Sequence, residues 1–122
     1  MRMRILWPAG QATAELRSTP TSEKLWAALP ISSTARTWGD EVYFDAGVSV
    51  PREPDAAQVV EPGTVAFWTD GDSLALPFGP TPISRDRECR LASPCNLLGA
   101  LDGDPAVLRT VRDGDAIRVE RA

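Results

Sequence analysis

Residues that reverse a backbone recur along this chain at short intervals, and the text between them alternates apolar with polar side chains. Pro8-Ala-Gly10, Gly39-Asp40, Pro62-Gly63, Asp70-Gly71 and Asp113-Gly114 all stand where glycine's positive φ or proline's fixed φ suits a turn. Segments this short and this regularly punctuated leave room for strands and for only one or two short helices. The chain is therefore read as mainly β.

Met3, Ile5 and Trp7 alternate with Arg4 and Leu6, and beyond the Pro8–Gln11 turn Ala12, Ala14 and Leu16 share one face, which predicts an opening hairpin. Thr19 is placed to cap a helix that starts at Pro20, with Glu23 near the positive end of its dipole and Leu25, Trp26 and Leu29 as its apolar stripe. Pro30 stops it. Alternation resumes from Ile31 to Asp45 with a bend at Gly39-Asp40, and the polar Pro51–Gln58 reads as a surface loop. Val59–Trp68 and Ser73–Phe78 form a second hairpin around Asp70-Gly71, in which the donorless Pro77 calls for an edge or a bulge. Phe78–Arg90 reads as a long irregular passage, Asn96–Leu101 as a strand, Asp104-Pro105 as the start of a short helix, and Ile117 with Val119 as the last strand. About eight short strands favour a closed or nearly closed antiparallel barrel, because closure removes the edges they would otherwise expose.

At 122 residues the chain is expected to form one domain, residues 1–122, with a core of its own. A net charge of -4 leaves no basic face for a phosphate backbone, so no nucleic-acid partner is expected. No apolar run approaches the roughly eighteen residues of a membrane span, and the start lacks a signal-peptide core, which predicts a cytoplasmic protein without a membrane partner. In that compartment Cys89 and Cys95 are read as reduced thiols.

Histidine is absent, which removes imidazole bases, Ser-His and Cys-His nucleophile pairs and most zinc sites together. Asp70 and Asp72 around Gly71, and Asp102 and Asp104 around Gly103, lack the further oxygen ligands of a calcium loop. Lys24 is the only lysine, and no glycine-rich phosphate loop precedes it. No metal and no cofactor are expected.

Six passages in order carry a resemblance: Ala28-Leu-Pro-Ile31, Trp38-Gly-Asp-Glu-Val-Tyr-Phe44, Gly63-Thr-Val-Ala-Phe-Trp68, Phe78-Gly-Pro-Thr-Pro-Ile-Ser84, Asn96-x-x-Gly99 and Asp113-Gly-Asp115. Together they resemble the small prokaryotic cyclophilin-like family over nearly the whole chain. The resemblance implies a cyclophilin-like barrel of about eight antiparallel strands with helices closing its ends, and no established activity. The Phe-His-Arg and Pro-Gly-Phe-x-x-Gln-Gly-Gly runs of active cyclophilins are both missing.

Three functional readings follow. A prolyl isomerase needs an apolar slot and a donor to the prolyl nitrogen, and Arg36 is the one arginine that this reading sets on a barrel face. A binding module for an unknown small molecule, peptide or protein can be built from Trp38, Tyr43 and Trp68 as walls and Arg36, Glu41, Thr81 and Asn96 as orienting groups. Those three aromatics are equally compatible with a barrel core, whereas Phe44 and Phe78 read as core. Carboxylate catalysis by Asp40 and Glu41 is disfavoured, because neighbours on a strand point to opposite faces. Asp40 belongs to the turn, and Glu41 is expected to pair with an arginine or lysine. The sequence thus favours a binding module without isomerase activity or catalytic residues, with a divergent isomerase using Arg36 as the alternative.

Overall fold

Met3, Ile5 and Trp7 point inward along β1 (Arg2–Trp7), and Ala14 and Leu16 do so along β2 (Gly10–Leu16), which returns antiparallel to it. A computed structural model describing residues 1–122 continues the chain through helix α1 (Pro20–Ala28), β3 (Ile31–Thr34), β4 (Arg36–Thr37) and β5 (Glu41–Asp45). There follow β6 (Ala57–Val60), β7 (Thr64–Trp68), β8 (Ser73–Pro77), β9 (Cys89–Leu101) and β10 (Ala116–Arg121), with short 3-10 turns at Thr69–Gly71 and Pro105–Thr110.

Thr19 caps α1 as its sequence requires. Its hydroxyl accepts from Ser22 N at 3.0 Å, Ser22 Oγ accepts from Thr19 N at 2.8 Å, and Pro20 fills the first helical position. Leu25 is fully buried, while Trp26 stays partly exposed beneath the Arg121 guanidinium, 4.8 Å from the ring centroid.

The sheet runs in the order β3-β10-β1-β2-β9-β7-β8-β5-β4. Its two ends are consecutive in the chain. Only Ala35 separates β3 from β4, and its backbone donates to Asp115 O and accepts from Gly114 N, both at 2.8 Å. The run Ile31–Thr37 therefore pairs with β10 through its first half and with β5 through its second, nearly closing the barrel. Taking β3 and β4 as one stave gives the expected eight.

Twenty-one buried residues fill the interior, among them Phe44, Phe67, Leu74, Leu76 and Ile117, each at most 2% exposed. Each such side chain contributes about 1.5–3 kcal/mol by leaving water. Phe44 is core as expected, and Phe78 packs partly buried against it.

Four features differ from the sequence reading. β6 is a strand of its own paired with β9, where the sequence reading placed the end of a loop at Gln58 and the start of a hairpin arm at Val59. β9 starts at Cys89, within the passage read as irregular, and extends for 13 residues. Pro94 and the polar residues around it mask the strand, and the chain bends there. The first part of β9 pairs with β6, and the part from Asn96 onward pairs with β7 and β2. Pro77 lies on no edge, since β8 sits between β7 and β5. It is the last residue of β8, where the ladder to β7 has stopped at Ala75 and the lost donor leaves no gap. Asp104 caps a 3-10 turn rather than an α-helix, accepting from Ala106 N at 2.9 Å. No helix is long and apolar enough to cross a membrane.

Candidate functional site

Side chains alternate along each strand, so residues between the core positions of β5, β7 and β8 face outward. Val42 and Phe44 enter the core and leave Glu41 and Tyr43 on the outer face. Likewise Val65 and Phe67 leave Ala66 and Trp68, and Leu74 and Leu76 leave Ala75. Tyr43, Ala75 and Ala66 lie directly opposite one another across three strands. Two alanines in the middle of this row leave a floor that larger side chains would have filled.

The bend in β9 covers that floor. Leu91 and Cys95 from its first part pack with Ala66 and Ala75 into a second, four-residue cluster. Between cover and floor lies a partly open cavity of about 170 Å³, lined by Trp38, Glu41, Tyr43, Trp68, Ala75, Leu91, Ala92 and Cys95. Glu41 is the only lining residue that is not hydrophobic.

The walls are held by identifiable contacts. Trp38 N donates to Glu41 O at 3.0 Å, and Gly39, with φ at 59°, takes the first position of the two-residue turn between them. A Cβ at Gly39 would also come within 3.0 Å of Pro80 O and Pro82 Cδ, so glycine is required twice over. Asp40 turns away and receives both guanidinium nitrogens of Arg109, at 3.1 and 3.2 Å. The Trp68 indole N–H donates to Ser93 Oγ at 2.9 Å, and Ser93 Oγ donates to Asp70 Oδ2 at 2.8 Å. Gly71 leaves space for that indole, since a Cβ there would lie 2.3 Å from its Cζ3. Tyr43 and Trp68 meet edge to face, with centroids 6.1 Å apart and planes at 84°.

Glu41 breaks the pattern expected of it. It pairs with no arginine or lysine; it is 6% exposed, and its Oε1 is buried without a hydrogen-bond partner. Burial pushes its carboxyl up to about 7 from an ordinary value of 4.5. The sequence could not show this, because the cover that dries Glu41 comes from β9, some fifty residues away along the chain.

The remaining candidates stand elsewhere. Arg36 is exposed, 3.7 Å from Asp113; it lies directly across from Tyr43 and borders with it an open depression that includes Thr34, Asp45 and Ser73. Thr81 is a loop clamp, donating to Arg90 O while its N–H donates to Ser84 Oγ at 2.8 Å. Asn96 is fully buried and ties three segments together, donating to Thr21 Oγ1 at 2.9 Å and Pro51 O at 3.0 Å and accepting from Glu53 N at 2.7 Å. The structure thus brings together Trp38, Glu41, Tyr43 and Trp68, sets Arg36 beside Tyr43 but outside the cavity lining, and separates Thr81 and Asn96 from them. It adds Ala75, Leu91, Ala92 and Cys95, of which only the small Ala75 in an otherwise bulky strand left a signal in the sequence.

Cys89 and Cys95 are free, buried thiols. Burial pushes them up to about 11 and about 12, so Cys95 meets the cavity as a neutral thiol rather than a thiolate. No group of three or more Cys, Asp or Glu is arranged to hold a metal ion.

The model of the family described as cyclophilin-like matches residues 1–120. The chain belongs to the cyclophilin-like family. This cyclophilin-like chain is also similar to the solution structure of the hypothetical protein AF2241 from Archaeoglobus fulgidus, with 41% identity and a TM-score of 0.85 over 100% of this chain and 95% of that one. No curated protein matches it.

Proposed function

We propose that this cyclophilin-like barrel is a cytoplasmic binding module, without prolyl isomerase activity, whose site is the cavity on its outer face. The observation that carries the reading is a preformed hollow walled by Trp38, Tyr43 and Trp68, with a single charged side chain, Glu41, in its lining. Pockets that bind small molecules combine apolar walls with few orienting polar groups, and the contacts that fix the Trp68 indole and the Trp38 turn pre-organise this one.

Arg36, the donor that an isomerase reading would use, is not among the lining residues; it stands across from Tyr43, borders an open depression beyond it and faces Asp113. The cavity lining itself holds no arginine to donate to the nitrogen of a proline bound there. Two measurements test the proposal. Small apolar and amphiphilic molecules, titrated while the indole N–H signals of the four tryptophans are followed by NMR, are expected to move those of Trp38 and Trp68. Movement confined to Trp7 and Trp26, or none, rejects the cavity as the site. A protease-coupled proline-peptide assay is expected to show no acceleration over buffer, and acceleration abolished by Arg36→Ala would establish the isomerase instead.

A further inference from the structure

Glu41 is the one polar feature of the cavity that the protein itself leaves unanswered. A buried carboxylate oxygen without a partner costs stability, and native folds keep such groups where something else supplies the hydrogen bond. The surrounding arginines are already engaged. Arg109 holds Asp40 at 3.1 Å, Arg90 holds Glu88 at 2.6 Å, and Arg52 and Arg36 stand 3.7 Å from Asp70 and Asp113. No cation of this chain lines the cavity.

The rest of the lining has the character that an organic cation needs. Aromatic faces attract a cation through their quadrupole, and Trp38, Tyr43 and Trp68 surround the same space as Glu41. Tyr43 and Trp68 stand nearly perpendicular and so form two sides of a box. Because the Trp68 N–H is taken by Ser93, its ring brings no free donor to the cavity. The volume of about 170 Å³ equals about five or six water volumes of ~30 Å³, enough for an ammonium head and a short alkyl chain.

We propose that the cavity takes a protonated alkyl amine, whose ammonium pairs with the Glu41 carboxyl while its carbons lie against the rings of Trp38, Tyr43 and Trp68. This rests on the cavity being the binding site. The same chemistry is carried by a free amine and by the side chain of a lysine in a peptide, since both present a compact ammonium on a methylene stem.

The test compares n-butylammonium with butan-1-ol and butyrate, which match it in size and differ in charge, and with Nα-acetyl-lysine N-methylamide. Binding is read by calorimetry and by the Trp38 and Trp68 indole signals above pH 8. Butylammonium is expected to bind at least about tenfold more tightly than butanol, with butyrate excluded, and Glu41→Gln to remove that preference. Binding of the lysine derivative as tight as that of butylammonium assigns the site to a peptide side chain, and butylammonium alone assigns it to a free amine. Equal or tighter binding of butanol, or a preference that survives Glu41→Gln, overturns the ammonium assignment and leaves the cavity as a site for neutral molecules. Silence of both indoles toward all four probes overturns the cavity reading as well.

Discussion

Replacing Glu41 with glutamine is predicted to stabilise the ligand-free protein, and to do so more as the pH rises. In the folded chain, burial raises the carboxyl to about 7, against 4.5 for the exposed group. Below 4.5 both folded and unfolded states carry the proton and the difference vanishes. Between 4.5 and 7 unfolding releases a proton, so stability falls as the pH increases, and above 7 the penalty is complete. At 1.36 kcal/mol per tenfold the whole interval is worth about 3 kcal/mol, most of which falls between pH 5 and pH 8.5.

The other titrating groups near Glu41 do not confuse this window. Tyr43 shares the cavity, and the Cys89 and Cys95 thiols, raised by burial to about 11 and about 12, stay neutral throughout. Asp40, Glu61, Asp70 and Arg52 are common to both proteins. Glu88, held low chiefly by its hydrogen bond with Arg90, and Asp102, held low chiefly by Thr13, lose stability only as the medium becomes acid, and they cancel in the comparison. Urea unfolding of wild type and Glu41→Gln at pH 5 and pH 8.5, read by tryptophan fluorescence, measures the difference directly. The advantage of the glutamine variant should grow by about 2–3 kcal/mol between the two conditions. A difference constant to within about 0.5 kcal/mol would refute the idea that Glu41 is a dry, unpaired carboxyl.

Trp38→Ala should cost about 1 kcal/mol or less, because the indole lines an open cavity, whereas Phe44→Ala should cost about 3–5 kcal/mol as a loss from the closed core; paired denaturation curves compare them. Asn96→Ala leaves Glu53 N, Pro51 O and Thr21 Oγ1 short of partners in a buried site and should cost about 2–3 kcal/mol; a urea midpoint unchanged from wild type contradicts its role as a clamp. Arg36→Ala should change stability by less than about 0.5 kcal/mol, since its contact with Asp113 is exposed, and should leave ligand binding at the cavity unaltered by calorimetry.

Much of the barrel was legible because its signals are local. Alternation marked β1, β2, β5, β7, β8 and β10, and Thr19-Pro20 marked the start of the helix, since a cap and a strand face depend on residues a few positions apart. β9 was half missed because Pro94 and Ser93 interrupt its pattern, and only its pairing with β6, which shifts register between Ala57 and Val59, makes a strand of Cys89–Cys95. For the site, the outward turn of Glu41 and Tyr43 was readable from Val42 and Phe44. The burial of Glu41 was not, because it depends on Leu91 and Cys95 folding over Ala75. Asn96 and Thr81 show the converse difficulty: a polar side chain suited to orienting a ligand is chemically identical to one suited to joining two loops. Only the positions of Glu53, Thr21 and Arg90 distinguish them.

The measurement closest to the central claim is the titration of the Glu41 side-chain carboxyl itself, followed by carbon NMR in selectively labelled protein with and without n-butylammonium. The account predicts a midpoint near 7 in the free protein that moves downward when the amine is present, because the ammonium stabilises the ionised form. A midpoint near 4.5 in the free protein, unmoved by the amine, would contradict it.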